Sequence, residues 1–222
     1  DRFGEVCVVQ AGTAGIENLL PEILAALDEV LAPAAVVLAN ESPHRALEGL
    51  ETYTRLASGD LSGPVEVEEN NLVFFADPLE GQKTGWFYDQ RDNRAFIATL
   101  AKGASVLDLY AYAGGFAVQA AAGGAKSVLA VDSSAPALEL AKKAAARNGV
   151  AGSCEFRKQD AFEALAALAV QNESFEVVIA DPPPFARSKK DVPAALKGYR
   201  KLARMAAGRV RPGGLLFIAF CS

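Results

Sequence analysis

The sequence predicts an α/β protein whose larger part is a doubly wound parallel sheet. From about residue 103 onward, strand-like apolar runs alternate with helical patterns, which is typical of repeated β-α-β units. The strand-like runs are almost continuously apolar, as expected for parallel strands that helices cover on both faces. With 222 residues, 51% of them hydrophobic and 22% charged, the chain can bury a substantial core and is not disordered.

The first 78 residues predict a separate, small α+β domain. Apolar residues recur every three or four positions over 16–31, which indicates an amphipathic helix. Strand-like runs occur around it at 5–11, 35–39, 65–70 and 71–77. We therefore place one domain at 1–78 and a second at 79–222.

Charge divides the chain in nearly the same place. Residues 1–82 hold 15 acidic and 3 basic side chains, whereas the remaining residues hold 12 acidic and 19 basic ones. The densest basic stretch, 187–211, has nine Lys or Arg residues and one Asp. This asymmetry indicates two units with different surfaces and an anionic partner for the second.

The second domain is predicted to contain five strands joined by helices. The strands are 105–111, 127–132, 154–160, 175–181 and 215–220. The helices are 115–124, 135–147, 161–170 and 194–208. Ligands of such folds bind outside the carboxyl ends of the strands, so the residues at those ends are the candidates for a site.

Several function classes are excluded by composition. No apolar run reaches the roughly 20 residues that a membrane helix requires, and no secretory signal is present. Three scattered cysteines and one histidine argue against a disulfide framework, a metal site or a serine-histidine triad. We expect a protein of the reducing cytoplasm without metal, and an opening residue other than Met suggests a fragment of a longer protein.

The first strand is followed by a glycine pair. Asp108 precedes the turn at Gly114 and Gly115, where the backbone could approach a ligand before a helix begins. The dinucleotide fingerprint G-x-G-x-x-G is absent, which argues against a nicotinamide cofactor. Asp108 would suit a cofactor with positive charge, such as a sulfonium and an ammonium group. A tight turn with a capping role is the alternative.

Two further strands also end in an acid. Asp132 lies 17 residues after Gly115, close to the spacing of a carboxylate that binds ribose hydroxyls. Asp160 and Ala161 could meet an adenine edge. Each acid could instead belong to a helix N-cap, and for Asp160 that alternative is the stronger one. Three acids at successive strand ends together imply an adenosine-type cofactor.

The fourth and fifth strands end in residues suited to chemistry on a base. Asp181, three prolines and Phe185 form a stiff segment that presents a carboxylate and a ring to a planar heteroaromatic base. A rigid loop entry is the alternative. Cys221 stands at the end of the last strand, where a free thiol could lie beside Asp181 or simply be buried.

Basic residues follow the proline segment. Lys197, Arg200, Lys201 and Arg204 recur at helical spacing, which places four cations on one helix face. A solvated surface is the usual explanation of such a stripe. The neighbouring Arg187, Lys189 and Lys190 favour phosphate binding and hence a nucleic-acid partner.

Three segments together resemble one known family. They are 81–94 (GQKTGWFYDQRDNR), 106–134 and 178–190, followed by IAFCS at the end. They are similar to S-adenosylmethionine-dependent ribosomal RNA cytosine-5 methyltransferases that carry an N-terminal PUA domain. The resemblance implies that 1–78 is the central domain of such an enzyme and that 79–222 is its class-I methyltransferase domain. The PUA domain and the hairpin after strand five would then lie outside this chain.

The resemblance also implies roles for single residues. The cofactor would be S-adenosyl-L-methionine and the substrate ribosomal RNA. The implied cofactor residues are Gln90, Asp108, Tyr110, Gly114, Gly115, Asp132, Ser133, Asp160 and Ala161. Cys221 would be the nucleophile and Asp181 the acid that contacts the target base. Phe220 departs from the family pattern, so methylation of a guanine nitrogen without a covalent step, or RNA binding without catalysis, remains an alternative.

Overall fold

The computed structural model describes residues 1–81, 84–186 and 188–220. The chain forms two compact units, one of Asp1–Asn71 with Phe75–Asp89 and one of Leu72–Phe74 with Gln90–Ser222. The predicted boundary after residue 78 falls inside the first unit. None of the helices in the described part of the chain is long and apolar enough to cross a membrane.

The first unit is built on a four-stranded sheet with strand order β1-β2-β3-β4. The pairs β1–β2 and β3–β4 are antiparallel, while β2 and β3 are parallel. Its strands and helices are β1 (Arg2–Phe3), β2 (Val6–Val9), α1 (Ala14–Asn18), α2 (Leu20–Leu31), β3 (Ala35–Asn40) and β4 (Tyr53–Gly59). All six residues of β3 are buried, so this central strand forms the middle of the unit's core.

The helix predicted over 16–31 is two helices. α1 ends before Leu19, and α2 begins at Leu20 with Pro21 in its first turn. Proline has no N–H group, and its ring clashes with the carbonyl four residues earlier in a continuous helix. Pro21 therefore starts a new helix and cannot continue the first one. Strand β4 was not predicted, because its sequence YTRLASG mixes polar and small residues and lacks a clear apolar run.

A two-stranded hairpin is formed by β5 (Val65–Glu69) and β6 (Leu72–Ala76). Asn70 and Asn71 connect the strands and have φ values of 52° and 62°. Asparagine tolerates this left-handed conformation, which a two-residue hairpin turn requires at both positions. The predicted strands at 65–70 and 71–77 are thus confirmed as the two arms of one hairpin.

The second unit contains a five-stranded parallel sheet with order β11-β10-β7-β8-β9. Its strands are β7 (Ser105–Leu109), β8 (Ser127–Asp132), β9 (Cys154–Lys158), β10 (Phe175–Ala180) and β11 (Val210–Ile218). Its helices are α3 (Arg91–Leu100), α4 (Gly115–Ala122), α5 (Ala135–Arg147), α6 (Ala161–Val170) and α7 (Val192–Ala207). The first strand of the unit, β7, is central, and the chain winds outward from it in both directions. The predicted doubly wound α/β fold is therefore confirmed.

Each face of this sheet has its own core. Val106, Ala130 and Ile179 pack with residues of α3 and α4, including Ile97 and Phe116. The alternate strand positions pack with α6 and α7 on the other face: Leu107, Leu109, Leu129, Val131, Val178 and Ala180. The order of the strands reverses between β7 and β10, so the crevice for a ligand lies at the carboxyl ends of these two strands.

Two elements of this unit differ from the prediction. α3 was missed, because its residues are mostly polar or small and only Arg94 and Ile97 are buried. β11 begins at Val210, five residues before the predicted start, and so contains Pro212, Gly213 and Gly214. Proline is tolerated in an edge strand, where its missing N–H group breaks no ladder bond.

Candidate active site

Asp108 is a fully buried acid in the central strand. It lies between Ile179 of β10 and Ala130 of β8, and its relative exposure is 0%. Neither oxygen of its carboxyl group has a hydrogen-bond partner in the described part of the chain. Burial raises the pKa of Asp108 well above its usual range, and the charges of Asp181 and Asp132 raise it further. The Ala117 amide, which acts on the carboxyl group without meeting hydrogen-bond geometry, and the Arg94 guanidinium offset only part of this rise. A cationic ligand would compensate the buried carboxylate.

The loop after β7 adopts a strained backbone. Tyr110, Tyr112 and Gly114 have φ values of 63°, 46° and 82°. A left-handed conformation costs a non-glycine residue about 1–2 kcal/mol, and such residues cluster at functional sites. The loop is held by the Ala111 N–H, which donates to the Val131 carbonyl over 3.1 Å, and by the Tyr112 N–H, which donates to Asp132 Oδ2 over 2.8 Å.

The glycine pair at the start of α4 is required by packing within the chain. A Cβ atom at Gly114 would lie 2.8 Å from the Ala141 Cβ of α5, and one at Gly115 would lie 2.6 Å from Arg94 Nε. Each distance is shorter than real Cβ contacts allow. Close approach of neighbouring protein groups therefore explains both glycines, while their approach to a ligand stays a prediction.

Asp132 connects two loops at the sheet edge. Its Oδ2 accepts the Tyr112 N–H, and its Oδ1 accepts the Ser134 N–H over 2.8 Å. Ser134 caps α5 by accepting the Ala137 N–H, so the serine, and not Asp132, is the N-cap of this helix. Ser133 is exposed. Each carboxylate oxygen can accept a second hydrogen bond, so binding of ribose by Asp132 stays a prediction that this geometry permits.

Asp160 is the N-cap of α6. Its Oδ1 accepts the N–H groups of Phe162 and Glu163 over 2.8 and 3.1 Å. The capping alternative is thus what the structure shows, and contact of Asp160 and Ala161 with adenine stays a prediction.

Burial raises the pKa of Tyr110 to about 12, with smaller contributions from Asp160, Asp132 and Tyr199. Tyr110 directly follows β7, so it belongs to the same sheet edge as Asp132 and Asp160 at the ends of β8 and β9.

The proline segment follows β10 at the crevice. Asp181 is half-buried, and its N–H donates over 3.4 Å to the carbonyl of Leu109, the residue after Asp108, so the two acids belong to neighbouring strand ends. Phe185 stacks on Tyr199 of α7, with ring centroids 4.4 Å apart and an interplanar angle of 20°. One face of the Phe185 ring is therefore covered by protein. Packing of Phe185 against a base, through the rest of its ring, stays a prediction.

The basic residues of α7 are accessible. Lys197, Arg200, Lys201 and Arg204 are exposed, as are Lys189 and Lys190 in the turn before the helix. Lys201 Nζ also lies 4.8 Å from the centroid of the Phe162 ring. None of the four helix cations forms an ion pair with the described residues.

Of the remaining predicted residues, one is described at the start of α3 and two fall outside the described part of the chain. Gln90 precedes α3, and its Oε1 accepts a hydrogen bond of 2.8 Å from Asn93 Nδ2. Arg187 and Cys221 lie outside the described residues. Their predicted roles in closing over the cofactor, in binding phosphate and in nucleophilic catalysis stay predictions.

Sequence reasoning did not single out three residues of this region. Arg94 is 4% exposed and lies 5.7 Å from the centroid of the Phe116 ring. Tyr112 lies in the loop after β7 and its N–H donates to Asp132, and Tyr199 stacks on Phe185 in the loop after β10. A buried arginine gives no signal in a single sequence, because arginines are mostly exposed. The left-handed Tyr110 and Tyr112 give no signal either, because tyrosine is not among the residues enriched in that conformation.

Comparisons with known proteins were made by sequence and by structure. Residues 16–221 match the family model described as S-adenosylmethionine-dependent methyltransferase. The chain is 38% identical to "Ribosomal RNA large subunit methyltransferase I" of Alteromonas mediterranea over 100% of this chain and 56% of that protein. It is 34% identical to the protein of the same name from Cronobacter sakazakii, over 100% of this chain and 57% of that protein. The chain thus spans little more than half the length of these curated relatives.

Solved structures show the same fold. A crystal structure assigned as a methyltransferase, in complex with SAH, superposes with a TM-score of 0.82 at 24% identity, over 97% of this chain and 55% of that one. The tRNA m1G37 methyltransferase of M. jannaschii superposes with a TM-score of 0.72 at 19% identity, over 97% of this chain and 59% of that one. These likenesses support the class-I methyltransferase fold.

Proposed function

Because the chain belongs to the S-adenosylmethionine-dependent methyltransferase family, we propose that it methylates carbon 5 of a cytosine in large-subunit ribosomal RNA. The observation that carries the cofactor part of this proposal is Asp108. A carboxyl group that is fully buried without a hydrogen-bond partner in the described chain is a site prepared for a cation. The curated relatives are named as ribosomal RNA methyltransferases, which supports the choice of substrate.

The residues present fit S-adenosylmethionine. Its methionine part carries an ammonium and a sulfonium charge, which match the acids Asp108 and Asp181 at the crevice. Asp132 has acceptor capacity left for ribose hydroxyls, and Tyr110 directly follows the neighbouring strand β7. The cofactor supplies an electrophilic methyl group when it is bound.

The basic surface fits an RNA substrate. α7 presents four exposed cations, and the loop after β10 presents Asp181 and Phe185 next to that helix. Phosphates would bind the cations, while an unstacked base enters the crevice, at a cost of a few kcal/mol. A free thiol nucleophile requires a reducing compartment, so we place the protein in the cytosol.

The proposed chemistry begins at Cys221. Its thiolate forms a bond to carbon 6 of the cytosine, which turns carbon 5 into a nucleophile for the methyl group. The Asp181 carboxyl stabilises the charge that develops at N3. After methylation, carbon 5 loses its proton to a base and the bond to sulfur breaks, so that the enzyme thiol is restored.

Replacement of the thiol tests this proposal. Cys221→Ala is expected to abolish methylation of deproteinised large-subunit ribosomal RNA, while calorimetry shows unchanged affinity for S-adenosylmethionine. Cys154→Ser is the matched control, because burial raises the pKa of the Cys154 thiol to about 11 and leaves it almost fully protonated. Its activity should equal that of the unsubstituted chain.

The identity of the methylated nucleoside separates the alternatives. Mass spectrometry of digested RNA should show 5-methylcytidine. Methylguanosine, with normal turnover by Cys221→Ala, would contradict the covalent mechanism and favour transfer to a guanine nitrogen. RNA binding without any affinity for S-adenosylmethionine at millimolar concentration would contradict the enzymatic proposal altogether.

A further inference from the structure

The loop after β10 has few backbone donors with which to hold its shape. Residues 182–184 are prolines and have no N–H group, so the amide of Phe185 is the first donor after that of Asp181. This amide donates a hydrogen bond of 3.1 Å to the hydroxyl oxygen of Tyr199 in α7. One phenol hydroxyl therefore holds the far end of the loop whose near end is Asp181.

The ring of Tyr199 adds two contacts. It stacks on Phe185 at 4.4 Å between centroids, and the Phe220 ring meets it edge-on at 5.1 Å with an interplanar angle of 79°. Both geometries are favoured arrangements of aromatic pairs. Phe220 immediately precedes Cys221 in the sequence. Tyr199 thus contacts Phe185, at the far end of the loop that begins at Asp181, and Phe220, the residue before Cys221.

The residue before Tyr199 permits this approach. A Cβ atom at Gly198 would lie 3.0 Å from Cδ2 of Phe185, which is tighter than most real contacts. The helix therefore has a glycine where the ring of the loop rests against it. Lys197, Arg200 and Lys201 surround these two residues in the sequence and are exposed.

We propose that Tyr199 is a positioning residue that fixes the loop 181–185 to the basic helix α7. RNA phosphates on α7 and the base at Asp181 would then be bound by one rigid support, so the target base is presented in a single orientation. This role rests on the proposed function and adds a residue to the same site. A misplacement of about 1 Å at a reacting group can lower a rate by about a hundredfold.

Tyr199→Phe tests the role, because it removes the hydroxyl group and keeps the ring. Nuclear magnetic resonance should show that hydrogen exchange of the Phe185 amide becomes at least tenfold faster, while the amides of α7 exchange as before. With large-subunit ribosomal RNA, we expect kcat to fall about tenfold, and KM for RNA and for S-adenosylmethionine to stay within about twofold. Loss of a residue with a purely structural role would not lower kcat and leave KM nearly unchanged.

Tyr53→Phe is the matched control. It also removes a phenol hydroxyl, one that donates to Glu17 over 2.7 Å in the first unit, and it should change neither the exchange of Phe185 nor kcat. Unchanged exchange in Tyr199→Phe, faster exchange throughout α7, or faster loop exchange with an unchanged kcat would each overturn the role of Tyr199. Absence of turnover in the unsubstituted chain would contradict the proposed function instead, and the exchange of Phe185 would still decide whether Tyr199 fixes the loop.

Discussion

At the scale of single residues, Asp108 lies where an ionised carboxyl group lowers the stability of the fold, and we assign the same group to cofactor binding. Its carboxyl group is buried without a hydrogen-bond partner among the described residues, and its raised pKa means that folding favours the protonated form. The stability that this group provides is therefore complete below its ordinary value of 3.8 and is lost as the pH rises through the pKa of the folded state. At neutral pH, the folded protein without ligand has to bury a charge or take up a proton.

Asp108→Asn should therefore stabilise the protein and weaken its cofactor binding. The amide has nearly the same shape and no charge, so we expect a higher melting temperature at pH 8 than for the unsubstituted chain. The difference should disappear below about pH 3, where the Asp108 carboxyl is protonated in both the folded and the unfolded state. Affinity for S-adenosylmethionine should fall about ten- to hundredfold, the worth of one hydrogen bond to a charged group. Thermal unfolding at several pH values and calorimetry measure the two effects.

Asp160→Asn serves as the control for stability. Asparagine caps a helix about as well as aspartate, so the melting temperature of this variant should follow that of the unsubstituted chain at each pH. If Asp108→Asn lowers the melting temperature at pH 8 and leaves cofactor affinity unchanged, Asp108 is not a prepared cation site.

The acids of the site also show what a single sequence can reveal. That Asp108, Asp132, Asp160 and Asp181 share one edge follows from parallel strands whose carboxyl ends meet, and this could be predicted. The partners of each acid could not, because they depend on which amides the next loop turns toward them. Asp132 accepts the Tyr112 N–H, for example, from a loop whose left-handed residues the sequence does not indicate.

At the scale of elements, Gly114 joins the loop after β7 to α4 under two separate constraints. Its φ of 82° disfavours a side chain, and a Cβ atom would come 2.8 Å from the Ala141 Cβ. Gly114→Ala should lower the free energy of unfolding by about 1 kcal/mol for the backbone strain and by about 1–3 kcal/mol more for the overpacking. Denaturation in urea measures the sum.

Gly149→Ala isolates the first of these constraints. Gly149 has a φ of 71°, and a Cβ atom there would meet nothing within 4 Å. The substitution should cost only the backbone strain, about 1 kcal/mol. Equal losses in the two variants would mean that α4 and α5 separate readily, and that packing of the helices does not require a glycine at 114.

Elements with a strong apolar pattern could be predicted, whereas those without one were missed. The bounds of α5 and α6 equal the predicted 135–147 and 161–170, because Ser134 and Asp160 mark their N-termini. α3 and β4 were missed, since both depend on tertiary contacts for their burial and carry mostly polar or small residues. Local sequence thus predicts an element where apolar spacing and capping agree.

At the scale of the whole molecule, the second unit separates its binding edge from its opposite edge. In a parallel sheet, all carboxyl ends lie on one side, and β7, β8 and β10 place the acids and the loop residue Phe185 there. Lys102 and Lys126 lie just before β7 and β8, and so near the amino ends of these strands. These two exposed lysines can therefore be compared with two exposed cations of α7, Lys197 and Arg204.

Binding of RNA should depend on the cations of α7 and be independent of those at the amino ends of the strands. Each phosphate that a cation neutralises on single-stranded RNA adds about 0.7 to the slope of log affinity against log salt concentration. Replacing Lys197 and Arg204 by Gln should therefore lower that slope by about 1.4, as measured by fluorescence anisotropy with a 20-nucleotide RNA at 50–200 mM salt. The double variant Lys102→Gln, Lys126→Gln removes the same net charge and should leave the slope unchanged. An equal decrease in both variants would show that RNA binding depends on the overall charge of the unit. In that case α7 would not be the element that orients the base toward Asp181.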